Sequence, residues 1–191
     1  MADISDRESF SRLAARLPSG AQAFSSGLIR TRQTAQAVVD AGWARGEFSD
    51  DARLAEQHYG EWHGQTAKDL KTALKTVGRH PFWFANAEAK PPGGESFLDV
   101  IERAEDVLAD VASQHLKTRG EERQENEPKS DFVFFTHGGF IRAVLSLALT
   151  IPPDRALNIM VENLSLTRLD RLEDGEGVHW RLVFQNWSSK R

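Results

Sequence analysis

Residues 132–140 read Phe-Val-Phe-Phe-Thr-His-Gly-Gly-Phe. The run Phe132–Phe135 is wholly apolar and rich in aromatic side chains, the pattern of a strand buried on both faces of a parallel sheet. It stops at Thr136-His137, and two glycines open the apolar stretch Phe140–Leu149, which is long enough for a helix. Strand, turn and helix in that order predict an α/β unit. In open α/β sheets ligands bind beyond the carboxyl ends of the strands, which is where His137 falls. Gly138 and Gly139 would let backbone come close to a ligand, and the first N–H groups of the helix form a natural phosphate site. The plain alternative is a histidine hydrogen-bonded to its neighbours at the end of a strand, with the glycines relieving packing.

Working outward, residues 7–17 space Phe10, Leu13, Ala14 and Leu17 as one face of a helix that Pro18-Ser-Gly20 stops. A short strand is expected in 21–26, then a helix ending at Gly42. Residues 43–60 look irregular, and 66–77 predict a helix. Glu95–Leu116 is the clearest amphipathic helix, with Val100, Ile101, Ala104, Val107, Leu108, Val111 and Leu116 on one side. Residues 117–130 are almost entirely polar and predict a solvated loop. Two alternating segments, 164–172 and 178–186, flank Asp174-Gly-Glu-Gly177 and predict a terminal hairpin. Helices between short strands imply one α/β layered domain over residues 1–191 with mostly parallel strands.

The 191 residues are enough for one domain with its own core, and the 40% hydrophobic, 27% charged composition is that of an ordinary globular chain. A net charge of -4 with no basic stripe argues against a nucleic-acid partner. No apolar run reaches the roughly 20 residues of a membrane helix. The N-terminal stretch has no apolar signal core, so the expected location is the cytoplasm. The absence of cysteine removes disulfides, thiol catalysis and thiolate zinc sites.

Three further stretches carry chemistry. In Ser25–Ala35, Arg30 and Arg32 lie in the first turns of a helix, where a cation opposes the macrodipole unless an anion is bound there; otherwise both are solvated surface residues. In Leu54–Gly64, Glu56 stands among Tyr59, Trp62, His58 and His63, and a carboxyl enclosed by aromatics is suited to donating a proton. The spacing of His58 and His63 makes no metal clasp, and no metal is expected. In Pro91–Glu105, Glu95 and Ser96 stand at the start of the long helix, as caps or as the border of a pocket. Phe82, Trp83 and Phe84 form an aromatic cluster expected in the core rather than over a pocket.

Taken in order, Ser25–Ala35, Leu54–Gly64, Pro91–Glu105 and Phe134–Leu145 resemble the motifs of the histidine phosphatase superfamily, also called phosphoglycerate mutase-like, over residues 11–170. The flavour is that of its small α-ribazole phosphatase-like members. The resemblance implies a three-layer α/β/α sandwich and phosphoryl transfer through a phosphohistidine, with no metal or nucleotide cofactor. It implies that Arg30 binds phosphate, that Glu56 donates the proton, and that His137, with Gly138, contacts the phosphoryl oxygens. Tyr59 and Trp62, with Glu95 and Ser96, would border the substrate, a small phosphorylated molecule.

One family element has no counterpart. The family's nucleophile belongs to an Arg-His-Gly tripeptide after the first strand, and no such tripeptide occurs in this sequence; Arg79-His80 precedes proline instead. The sheet is therefore expected to lack its first strand. Three expectations compete: a phosphomonoesterase whose recorded start is late, a phosphate-binding relative without turnover, or a homodimer that pairs through the vacant strand position.

Overall fold

The computed structural model describes residues 2–66, 68–70, 72, 74–75, 80–83, 85–118 and 131–188. Its α-carbon framework divides into two compact units, each assembled from separated segments. The first comprises Met1–Ala55, Glu105–Thr136 and Ser189–Arg191, and the second Glu56–Ala104 and His137–Ser188.

The first unit holds a parallel sheet. Helix α1 (Arg7–Arg16) leads to strand β1 (Gln22–Ser25), helix α2 (Ile29–Asp40) and strand β2 (Phe48–Asp50), and β3 (Phe132–Phe135) completes the sheet in the order β2-β1-β3. Both pairings are parallel, with Ala23 opposite Phe48 on one side and Val133 on the other. Pleating sends Phe24, Phe132 and Phe134 to one face. There the Phe24 and Phe134 rings stack at 5.5 Å. Ala23 and Ser25, both fully buried, point to the opposite face. The strand β2 lies in a stretch expected to be irregular. Three residues are too few to show a periodicity, and the strand exists because its edge meets β1. Among the described residues no strand pairs with the outer edge of β3.

Local chemistry starts each helix of this unit. Asp6 caps α1, its carboxylate accepting from Ser9 N at 3.1 Å and from the Ser9 hydroxyl at 2.7 Å. The helix then buries Phe10, Leu13 and Ala14. The β1–α2 turn is tied by hydroxyls: Ser25 and Ser26 Oγ lie 3.1 and 2.9 Å from Thr31 Oγ1, which donates to Leu28 O. Leu28 provides no side-chain cap to α2, but its carbonyl accepts from Thr31 N at 3.0 Å.

The second unit opens with the loop carrying Glu56 and contains the start of helix α3 (Phe97–Thr118), whose residues from Glu105 onward belong to the first unit. It continues with α4 (Gly138–Ala148), the short α5 (Pro153–Ala156) and an antiparallel hairpin of β4 (Ser165–Asp174) and β5 (Gly177–Ser188). The hairpin and its turn are where alternation placed them. One apolar cluster gathers Trp62, Leu70, Leu74, Ala85 and Ala89, with Tyr59 against it. Within the expected 66–77 helix, Leu70 N donates to Thr66 O and Leu74 N to Leu70 O, while residues 67, 71, 73, 76 and 77 lie outside the described residues. The long helix begins two residues later than expected and runs to Thr118, so Lys117 and Thr118 are helical rather than loop; 119–130 lie outside the described residues. Of the aromatic trio expected in the core, Phe82 is instead 73% exposed and Trp83 half-buried, while Phe84 lies outside the described residues.

Candidate active site

The second unit organises its polar groups around the N-terminus of α4. His137 is the N-cap residue, extended and 8% exposed, and its carbonyl accepts from Ile141 N at 3.0 Å. Its side chain does not cap the helix. The cap comes instead from far along the chain. Glu56 Oε1 accepts from Gly139 N at 3.0 Å and from Gln57 N at 3.0 Å. A carboxylate there is favoured by the partial positive charge of the helix end and satisfies one of its orphan donors. One oxygen is thus fixed by backbone while Oε2 has no hydrogen-bond partner among the described residues.

The loop bearing Glu56 is itself held by the loop before α3. Glu95 N donates to His58 O at 2.7 Å, Glu61 N to Pro92 O at 3.0 Å, and Gln57 Nε2 to Glu95 O at 2.7 Å. The backbones meet at Gly60 and Gly94: a Cβ on Gly60 would stand 2.1 Å from Pro92 O, and one on Gly94 2.5 Å from His58 O. The Glu95 carboxylate accepts from His58 N at 2.9 Å through Oε2, and Arg103 Nε of α3 reaches its Oε1 at 2.9 Å. Arg103 also lies over the Phe140 ring at 5.8 Å. Ser96 caps α3 in a reciprocal arrangement, with Asp99 N donating to its Oγ at 3.1 Å and Ser96 N donating to Asp99 Oδ2 at 2.7 Å. Of the four residues expected to border a substrate, Glu95 is thus engaged with Arg103 and His58, Ser96 caps, and Trp62 lies in the apolar cluster.

Tyr59, the fourth, is half-buried against that cluster. Burial pushes its phenol well above the ordinary range, the charge of Glu56 adds to that, and Arg142 pulls the other way. Arg142 is the residue that the sequence reading missed. The residue is 9% exposed, and its guanidinium donates Nε to Ile159 O at 2.7 Å and lies over the Trp83 ring at 4.7 Å. Burial pulls its pKa below the ordinary arginine value, while Glu56 and Tyr59 pull it up. A signal existed: Arg142 shares the helical stripe of the buried Leu145 and Ser146, where a charged side chain is costly unless it is paired or hydrogen-bonded.

The remaining sites are placed individually. Arg30 is an exposed residue in the first turn of α2, in the first unit. Arg32 is paired with Asp50 at the end of β2, and that guanidinium holds the Asp50 carboxyl below the usual range. His80 is buried with both ring nitrogens engaged, Nδ1 accepting from Phe82 N at 3.2 Å and Nε2 lying 2.9 Å from Asp154 O. His58 and His63 are exposed, and among the described residues no group of three ligating side chains converges. Among them, too, no helix is long and apolar enough to cross a membrane.

A parallel sheet, a strand ending before His137, and a remote carboxylate on the following helix define an α/β protein with an anion-friendly helix end. Residues 6–187 match the histidine phosphatase superfamily (branch 1), and the chain belongs to that family. A glucosyl-3-phosphoglycerate phosphatase of Mycobacterium tuberculosis is 32% identical over 146 residues, 73% of this chain and 62% of its own length. The chain thus spans about three-fifths of that relative. A 2,3-bisphosphoglycerate-dependent phosphoglycerate mutase of Gloeobacter violaceus is 28% identical over 81% of this chain and 66% of the mutase. Among solved structures, a complex of mycobacterial glucosyl-3-phosphoglycerate phosphatase with inorganic phosphate superposes with a TM-score of 0.73 at 25% identity, covering 98% of this chain and 86% of that one. An Escherichia coli protein described as an α-ribazole-5'-phosphate phosphatase shares the fold, with a TM-score of 0.68 at 15% identity over 97% of this chain and 82% of that one.

Proposed function

We propose that the chain is a phosphomonoesterase of the histidine phosphatase type acting on a small, polar phosphorylated metabolite. The observation that carries the reading is Glu56 Oε1 seated on the Gly139 N–H at the α4 N-terminus, one helical position beyond His137 and Gly138. Helix-end donors and a histidine suit the equatorial oxygens of a phosphoryl group, where charge concentrates during transfer. Glu56, held through Oε1, would deliver a proton from Oε2 to the leaving oxygen as its bond to phosphorus breaks and an in-line nucleophile, histidine or water, forms the new bond to phosphorus. Tyr59 would line the leaving-group side. Arg30 enters through the motif that it shares with the family, as a phosphate ligand. Inorganic phosphate bound to the mycobacterial relative supports a phosphate ligand for this fold.

A second reading is phosphate binding without turnover, and it rests on the absence of an Arg-His-Gly tripeptide from the sequence. Hydrolysis of a chromogenic aryl phosphate by the chain, by His137→Ala and by Glu56→Gln decides between them. Turnover lost in both variants establishes the phosphatase. Saturable phosphate binding without turnover establishes the second reading, and neither binding nor turnover removes both.

A further inference from the structure

We infer that Arg142 is an anion-binding residue of this site, its guanidinium taking phosphoryl oxygens over the N-terminus of α4. The inference rests on the reading of that helix end as a phosphoryl site and gives a role to an arginine within the fourth motif stretch that the sequence reading left without one. A Cβ built on Gly138 would stand 3.1 Å from Arg142 Nη1 and 3.9 Å from Cζ, so the guanidinium lies directly beside the first residue of the helix. Arg142 is 9% exposed, yet Nε, on Ile159 O, is its one hydrogen-bonded nitrogen among the described residues. The two terminal nitrogens, carrying four N–H groups, have no partner there.

A purely structural arginine at such depth would be expected to spend its donors on carbonyls or carboxylates. Here Trp83 fixes the plane from one side, at 4.7 Å, and Ile159 O fixes the stem. The fork is thereby pre-oriented without its tip being consumed, which suits bidentate capture of an oxyanion. The same position answers an electrostatic problem. Glu56 brings a carboxyl to the helix end where a phosphate would sit, and two anions repel there unless a cation stands between or beside them. The negative charges of Glu56 and Tyr59 are felt at Arg142, so the cation that would bind the second anion also faces the first.

The test uses the full chain, titrated with inorganic phosphate and separately with orthovanadate, alongside Arg142→Met and Arg142→Lys. Met retains much of the stem and loses the charge; Lys retains the charge and loses the fork. Phosphate affinity is expected to fall about 10–100-fold in Arg142→Met, the scale of a lost charge-assisted hydrogen bond, with Arg142→Lys between Met and the parent. Thermal midpoints without phosphate are measured in parallel, so that weakened binding at an unchanged midpoint separates a ligand from a mere packing group. A folded Arg142→Met that binds phosphate within about twofold of the parent overturns the inference while leaving the phosphoryl site standing. A parent chain that binds no phosphate overturns both. Where Arg142→Met does not fold, phenylglyoxal modification of the unaltered chain, mapped by mass spectrometry, replaces it. Phosphate is expected to protect Arg142, and equal labelling with and without phosphate refutes the assignment.

Discussion

Gly139 and Glu56 occupy the same space: the Glu56 oxygen that accepts the Gly139 N–H at 3.0 Å lies 2.2 Å from where a Cβ at 139 would be. The glycine is therefore the condition for the carboxylate to reach the helix end. Gly139→Ala forces Glu56 off its two amide donors. It is expected to lower kcat about tenfold or more through misplacement of the proposed acid. The same change removes a flexible residue from a helix, which by itself favours stability by roughly 0.5–1 kcal/mol. Steady-state kinetics with a denaturation curve checks both; equal kcat in the variant contradicts this placement of Glu56.

The ion pair of Glu95 with Arg103 fastens the Glu56 loop to α3. Because both side chains are largely buried, Glu95→Gln, which keeps an acceptor for His58 N and loses the charge, is expected to cost about 1–3 kcal/mol. Arg103→Met should couple to it by about 1 kcal/mol in a double-mutant cycle measured by urea unfolding. Additive effects would show that the pair does not act as a unit.

Ser96 acts as a helix cap, so Ser96→Ala should cost about 1 kcal/mol and leave phosphate affinity unchanged. A stability loss with unaltered phosphate titration is the expected pair of results. Weaker phosphate binding at full stability would place the hydroxyl at the ligand instead.

Acid sensitivity should follow Asp51, whose carboxyl is held below the usual range, first by its hydrogen bonds with Arg53 and also by the backbone N–H of that residue. A depressed folded-state pKa contributes stability above the unfolded value, near pH 4, and that stability disappears as pH falls through the folded value. Asp51→Asn is therefore expected to be less stable than the parent at neutral pH and to lose less on acidification below about pH 4. Unfolding curves across that range test it; parallel losses in both proteins would contradict the assignment.

Much of this chain was legible from neighbours in sequence. The buried strand Phe132–Phe135, the glycine-opened helix behind it, the amphipathic stripe of α3 and the terminal hairpin all follow from periodicity and turn residues, which act over a few positions. So does the placement of His137 at a strand end. The four ordered stretches also identified the family, because their chemistry repeats in the same sequence order.

The tertiary structure decided what depends on distant partners. Strand β2 has no pattern of its own and exists by pairing with β1. Ser96 and Glu95 looked alike as pocket or cap until Asp99 and Arg103 took them. Trp62 joins a core cluster with Leu70, Leu74, Ala85 and Ala89, a grouping that its own neighbours in sequence do not show. Arg142 read as a helical residue like any other, and only the approach of Gly138, Trp83 and Ile159 reveals a buried cation whose terminal nitrogens have no hydrogen-bond partner among the described residues. Periodicity records which face of an element is buried, but not what meets that face. Pairing, burial of charge and the seating of Glu56 on a helix 83 positions away are set by contacts that no local window contains.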